Sequence, residues 1–163
     1  DHLDYHKTFA EYLRCKKLFF DNLGAHAWAI TNADDKNGLV MLQNCAAHKY
    51  TYALKTMADH NCKIIESGFE GMQLNLDGTD LWTRFVGKFN AYNLTAVYAA
   101  SLKLGFNRDE VLSVLSNMDF VDGRFQCFRS KSGKTAIVDY AHTPDEIEKL
   151  LISAGKIKKQ KYL

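Results

Sequence analysis

The first six residues, "DHLDYH", hold two histidines and two aspartates, a density of nitrogen and oxygen donors that suits a metal ion. Lys16 follows within "DHLDYHKTFAEYLRCKKLFF". Metal takes imidazole or carboxylate, not ammonium, so residue chemistry by itself leaves a pairing of His2 with Lys16 unexplained. Further on, Asn90 and Asn93 stand three apart near the start of a helix, on one face. A side-chain amide offers a donor and an acceptor together. Arg124 follows Asp122-Gly123 in a turn. Asp139 ends an apolar run, where α/β folds place ligand groups, with His142 three residues on. Plainer readings stand beside these. Asn90 reads equally well as a helix cap, Arg124 as a solvated surface arginine, and His142 as a cap shared with Thr143. Asp4 and His6 read as shaping their loop, and Asp34 and Asp35 as capping a helix that begins near residue 37. His26, His48 and His60 have no partner spacing and read as structural or solvated.

The elements that position these residues follow from periodicity and capping. "TFAE" is a capping box, with Thr8 as cap and Glu11 three residues on, so a helix is expected over 9–22. One continuous helix over 2–16 would hold His2 and Lys16 about 21 Å apart. A start at Thr8 puts Lys16 only about 12 Å up the axis, and the preceding loop is long enough to fold back beside it. "HAWAITN" reads as a strand, "NADDKNG" as a turn, and about 37–48 as a helix with Leu39, Leu42 and Ala46 on one face. "YTYALKT" and "CKIIESGF" alternate as strands do, and a hairpin is expected around Asp77-Gly78. "NAYNLTAVYAASLKLG" is a helix closed by Gly105, and Asn107 caps the next, "RDEVLSVLSNM". The last third reads as strand "RFQCFRS", turn Ser132-Gly133, strand "KTAIVDYA", and a helix from Pro144 to about Ala154. The run "TAIVDYA" suggests a buried strand, open to parallel pairing. The class is mixed α/β.

Bulk properties narrow the function classes. The chain has 163 residues, 47% hydrophobic, enough for one domain or two small ones. Its 21 basic and 19 acidic residues nearly cancel, and the only basic block is "GKIKKQKYL", so nucleic-acid binding is not expected. No apolar run reaches membrane length and no signal-peptide pattern is present, so a soluble, cytoplasmic protein is expected. Cys15, Cys45, Cys62 and Cys127 lack CxxC spacing, which reads as reduced thiols rather than a zinc site. Pro144 is the only proline and no linker composition divides the chain, so any domain boundary is a short connection.

The opening string, "NADD" after a strand, "GKFNAYNLTAVYAA", "DGRFQ" and "DYAHTPD" occur in that order. Together they make the chain similar to the Mur ligase family, and within it to the branch that adds the third residue to UDP-N-acetylmuramoyl-L-alanyl-D-glutamate. The resemblance implies an ATP-dependent carbon–nitrogen ligase of peptidoglycan precursor synthesis that works through an acyl phosphate. It implies that Lys16 is carbamylated by CO2, which turns a cation into an oxygen ligand, and that this group and His2 hold Mg2+. It assigns Asn93 to the adenine, Asp139 to the ribose, and Arg124, His142 and Asn90 to the nucleotide site. It implies residues 1–121 as the later part of the central ATP-binding domain and 122–163 as the beginning of a Rossmann-like C-terminal domain. The implied partners are small molecules: ATP, the UDP-linked dipeptide, and a diamino acid, either meso-diaminopimelate or L-lysine. A folylpolyglutamate synthase-type ligase and a non-catalytic nucleotide-binding domain are the alternatives. "DYAHTPD" favours the first reading, because the folate enzymes typically carry Asn-Pro there. No GxxGK[ST] phosphate loop is present. The resemblance places that loop, and an acidic second metal ligand, before residue 1, so this piece alone is expected to be inactive and to associate through an uncovered sheet edge.

Overall fold

The computed structural model describes residues 8–160, with side chains through residue 157. Asp1, His2, Asp4 and His6 lie outside the described residues, and so does the expected approach of His2 to Lys16. Helix α1 (Phe9–Asp21) starts where the capping box puts it, with the Glu11 N–H donating to Thr8 Oγ1 at 3.2 Å. Strand β1 (Trp28–Asn32) leads through a short helix α2 (Gly38–Met41) to β2 (His48–Ala53) and β3 (His60–Gly68). Strands β4 (Gly71–Leu76) and β5 (Thr79–Thr83) form the hairpin expected at Asp77-Gly78. Both turn residues have positive φ, 45° and 87°, as tight two-residue hairpin turns require. Helices α3 (Lys88–Lys103) and α4 (Arg108–Asn117) follow, then β6 (Gln126–Arg129), β7 (Thr135–Val138) and α5 (Pro144–Gln160).

The sheet runs β1-β2-β3-β4-β5, parallel across β1, β2 and β3 and antiparallel from β3 to β5. Alternation in β4 sends Met72, Leu74 and Leu76 to one face, where all three are fully buried. Helix α3 covers that face with Ala91, Leu94 and Tyr98, and Val111, Leu112 and Leu115 of α4 complete the core. Each such leucine contributes about 1.5–3 kcal/mol relative to leaving it in water. Asn107 Oδ1 accepts from the Asp109 and Glu110 N–H groups, and Gly105 (φ 89°) closes α3. The two caps set the sharp α3–α4 corner.

Three expectations change. The helix expected over 37–48 is only one turn long, because Leu42 and Cys45 are drawn into a small core with Ala29 and Ala47. The "TAIVDYA" strand is neither buried nor parallel. It pairs antiparallel with β6, with alternate residues exposed, so the last third begins as a hairpin. Helix α5 runs to Gln160 and not to Ala154, and it buries Ile157 against Val86 and Phe125.

Among the described residues β1 is a sheet edge, and Phe9, Leu18 and Phe19 of α1 and Trp28 beside it are all exposed. Uncovered edges and apolar faces recruit other chains. Light scattering at micromolar concentration is expected to report species larger than a monomer. A sharp monomer peak throughout that range would remove the expectation.

Candidate functional site

Helix α3, the end of α4, the 121–125 loop and the segment from Asp139 into α5 enclose a cleft of about 700 Å³. Asn90, Asn93, Arg124, Asp139 and His142 all line it. Val97, Leu115 and Met118 supply an apolar wall on one side. Polar groups facing an apolar wall make a surface that can hold a flat ring by one face and read its edge.

Each polar residue is placed by local structure. Gly87 (φ 93°), not Asn90, occupies the cap of α3. Asn90 is 4% exposed, and its Nδ2 donates to the Val86 carbonyl at 2.8 Å. Its Oδ1 accepts from Asn93 Nδ2 at 3.4 Å. Asn93 is exposed, and among the described residues its Oδ1 has no partner. Asn90 therefore orients Asn93, whose amide faces the cleft.

Asp139 holds the opposite wall together. Its Oδ2 accepts the Phe125 N–H and its Oδ1 the Ala141 N–H, both at 2.7 Å. Phe125 is buried with φ 52°, a costly conformation for a large side chain that the surroundings must enforce. Gly123 (φ 67°) lies against Tyr140, where an added Cβ would come 2.5 Å from the ring. The Tyr140 N–H donates to the Gly123 carbonyl at 2.8 Å. The "DGRF" turn is thus folded onto the "DYAH" segment, and Arg124 is left exposed on the cleft rim without a side-chain partner among the described residues. His142 does not cap α5 through its ring. The cap is Thr143 Oγ1, and Glu146 Oε2 receives the His142 and Thr143 N–H groups. Those two backbone donors hold the Glu146 carboxyl down at about 2. The His142 ring sits 3.6 Å from it and 2.9 Å from the Tyr140 carbonyl.

Lys16 lies elsewhere, on α1, exposed, with Nζ 5.4 Å from the centre of the Tyr12 ring. Among the described residues no group of three histidine, cysteine or carboxylate side chains could hold a metal. No cysteine among them is disulfide-bonded, and burial pushes the Cys127 thiol up to about 11, which keeps it protonated and poorly nucleophilic.

The two adjacent aspartates divide their roles. Asp35 does not cap α2 as expected: its Oδ1 accepts the Asn37 N–H at 2.8 Å in the turn ahead of the helix, whose N-cap is Asn37 with no side-chain cap bond. Asp34 does not cap either. It accepts the Leu54, Lys55 and Thr56 N–H groups, the Thr56 hydroxyl and the Tyr92 hydroxyl. Partial burial opposes its ionisation, but these donors outweigh that and hold the carboxyl far below its ordinary value. Tyr92 lies between Asn90 and Asn93 in sequence, so Asp34 pins α3 to the end of β2. Nothing in the spacing of "NADD" reveals this, because the partners lie 20 to 58 residues away.

A model of the Mur ligase middle domain matches residues 1–101. The chain belongs to the Mur ligase family. A UDP-N-acetylmuramoyl-L-alanyl-D-glutamate–2,6-diaminopimelate ligase of Parabacteroides distasonis is 58% identical over 151 residues, which cover 93% of this chain and 31% of that protein. A solved structure of a ligase with the same name superposes with a TM-score of 0.75 at 27% identity, covering 95% of this chain and 33% of that one. A MurF ligase of Thermotoga maritima, solved in complex with ADP, gives 0.76 at 18% identity over 93% of this chain and 36% of that one, a likeness of fold alone. The chain spans about a third of the length of the Mur ligases it matches.

Proposed function

We propose that this chain is part of an ATP-dependent ligase that adds diaminopimelate to UDP-N-acetylmuramoyl-L-alanyl-D-glutamate in the cytoplasm, and that the cleft holds the nucleotide. The observation that carries the reading is the meeting, on one cleft, of Asn90, Asn93, Arg124, Asp139 and His142 from three separate stretches of sequence. The names of the similar Mur ligases support diaminopimelate as the added residue. The adenine lies on Val97, Leu115 and Met118 with its edge at the Asn93 amide. The free lone pairs of Asp139 accept from ribose hydroxyls, and Arg124 reaches the phosphates. Residues 1–121 then belong to the central domain and 122–163 begin the next, so the cleft lies at their seam.

In the whole ligase a carboxylate oxygen of the dipeptide attacks the γ-phosphorus and ADP leaves. The amine nitrogen then attacks the acyl carbon and phosphate departs. Two anions must meet in the first step, and a Mg2+ held by a carbamate on Lys16 together with His2 would supply the charge that permits it. The exposure of Lys16 supports its carbamylation, because CO2 can reach the amine, and His2 is the second ligand implied. After equilibration with 13C-bicarbonate, a carbamate carbonyl resonance is expected and should vanish in Lys16→Arg. A signal that survives that substitution would reassign the carbamate.

The nucleotide reading is tested by calorimetric titration with ADP. Saturable binding is expected, weakened about tenfold or more in Asn93→Ala, a loss of roughly 1.4 kcal/mol. Absence of saturation, or an affinity untouched by that substitution, would refute it.

A further inference from the structure

A second cleft of about 370 Å³ opens on the far side of Arg124, between the β4–β5 hairpin and the β6–β7 hairpin. Its walls are aromatic: Trp82 of β5, Phe120 before the "DGRF" turn, and Phe125 within it. Its rim carries Arg84, Arg124 and Arg129. Trp82 is 45% exposed and Phe120 40%, so two large rings face water there. Gly71 makes room for the first, since a Cβ at that position would lie 2.9 Å from Trp82 Cζ2. The arginines are available. Arg84 pairs with Asp119 and Arg129 with Glu70, but both pairs are largely solvated, and such pairs contribute about 0–1 kcal/mol. A ligand anion can therefore displace either acid at little cost, and a planar guanidinium fork grips carboxylate or phosphate in two places.

We propose that this cleft is a second ligand site, for a small planar aromatic molecule that carries a carboxylate or phosphate. The ring lies between Trp82 and Phe120, and the anion takes the Arg84 and Arg129 guanidinium groups. The volume lies near the lower end for small-molecule sites, which suits one ring system with one anionic group. The inference does not rest on the nucleotide reading of the larger cleft.

Trp82 reports the site directly, because Trp28 is the only other tryptophan. In Trp28→Phe, without nucleotide present, 4-nitrobenzoate should quench Trp82 fluorescence along a saturating curve. The neutral 4-nitrobenzamide should need about tenfold more. Arg84→Gln with Arg129→Gln should weaken the acid about tenfold and leave the amide unchanged. Both arginines are exposed, so circular dichroism should match the parent. If the double substitution disturbs the fold, the acid–amide comparison in Trp28→Phe still decides. Linear, non-saturating quenching, or equal response to acid and amide, would overturn the proposal. So would indifference of the acid to loss of both arginines in a folded protein.

Discussion

Replacing Asp34 with alanine is expected to destabilise the protein by about 2–4 kcal/mol, which for this size lowers the melting temperature by roughly 5–15 °C. The substitution orphans the donors of Leu54, Lys55, Thr56 and Tyr92. Their costs are unequal. Lys55 and Thr56 are exposed, so water replaces the carboxylate there at little loss. Leu54 and Tyr92 are partly buried, and their N–H and O–H groups dominate the penalty. The acid limb of stability gives an independent check. The folded carboxyl sits below its ordinary value of 3.8, so its contribution is fully present above that value and is lost as pH falls through and below it. Asp34→Asn keeps the shape, removes the charge, and should flatten the decline in stability below about pH 4. Thermal melts of the wild type and both variants between pH 2.5 and 7 would show it. A variant that melts with the wild type at neutral pH would end the idea that this carboxylate ties β2 to α3.

What could be read from sequence divides along the range of the forces involved. The α1 cap at Thr8, the Asn107 cap and the Asp77-Gly78 turn are local, set by groups within three residues, and the structure has them where the sequence puts them. The helix expected after residue 37 shows the limit. Its apolar spacing suits a helix, yet burial of Leu42 and Cys45 against Ala29 ends it after one turn. The "TAIVDYA" run carries three apolar residues before Asp139, and composition alone cannot tell a buried parallel strand from half of an exposed hairpin. The cleft was legible only as separate motifs. Asn90 and Asn93 share a helical face by spacing, but that this face meets Asp139 and Arg124 depends on how β6, β7 and α5 pack back onto α3. Asp34 was assigned to a cap because its neighbours in sequence are turn residues, while its true partners come from the end of β2 and from α3.

Asp139→Ala is the substitution expected to affect the cleft most. Asp139 has two separable duties, and only one of them is visible in stability. Its oxygens hold the Phe125 and Ala141 N–H groups, and the first of these keeps a buried residue in a left-handed conformation. Loss of both bonds should cost about 2 kcal/mol. It should also loosen the 121–125 loop that places Arg124. If the remaining lone pairs bind ribose as well, ADP affinity should fall about 30- to 100-fold, roughly 2–2.7 kcal/mol, more than loop disorder at one edge of the cleft would produce. Asp139→Asn separates the duties. Its amide oxygen still accepts one backbone N–H, while its amine faces the other, so the loop is partly retained and one ribose acceptor is lost. Asn93→Ala provides the contrast, since an exposed asparagine with one long hydrogen bond should leave the melting temperature nearly unchanged while weakening ADP. Melting and ADP titration on the three variants therefore give different paired outcomes. If Asp139→Ala lowered the melting temperature but left ADP affinity intact, its carboxylate would be a strut of the β6–β7 hairpin, and the ribose assignment would fall.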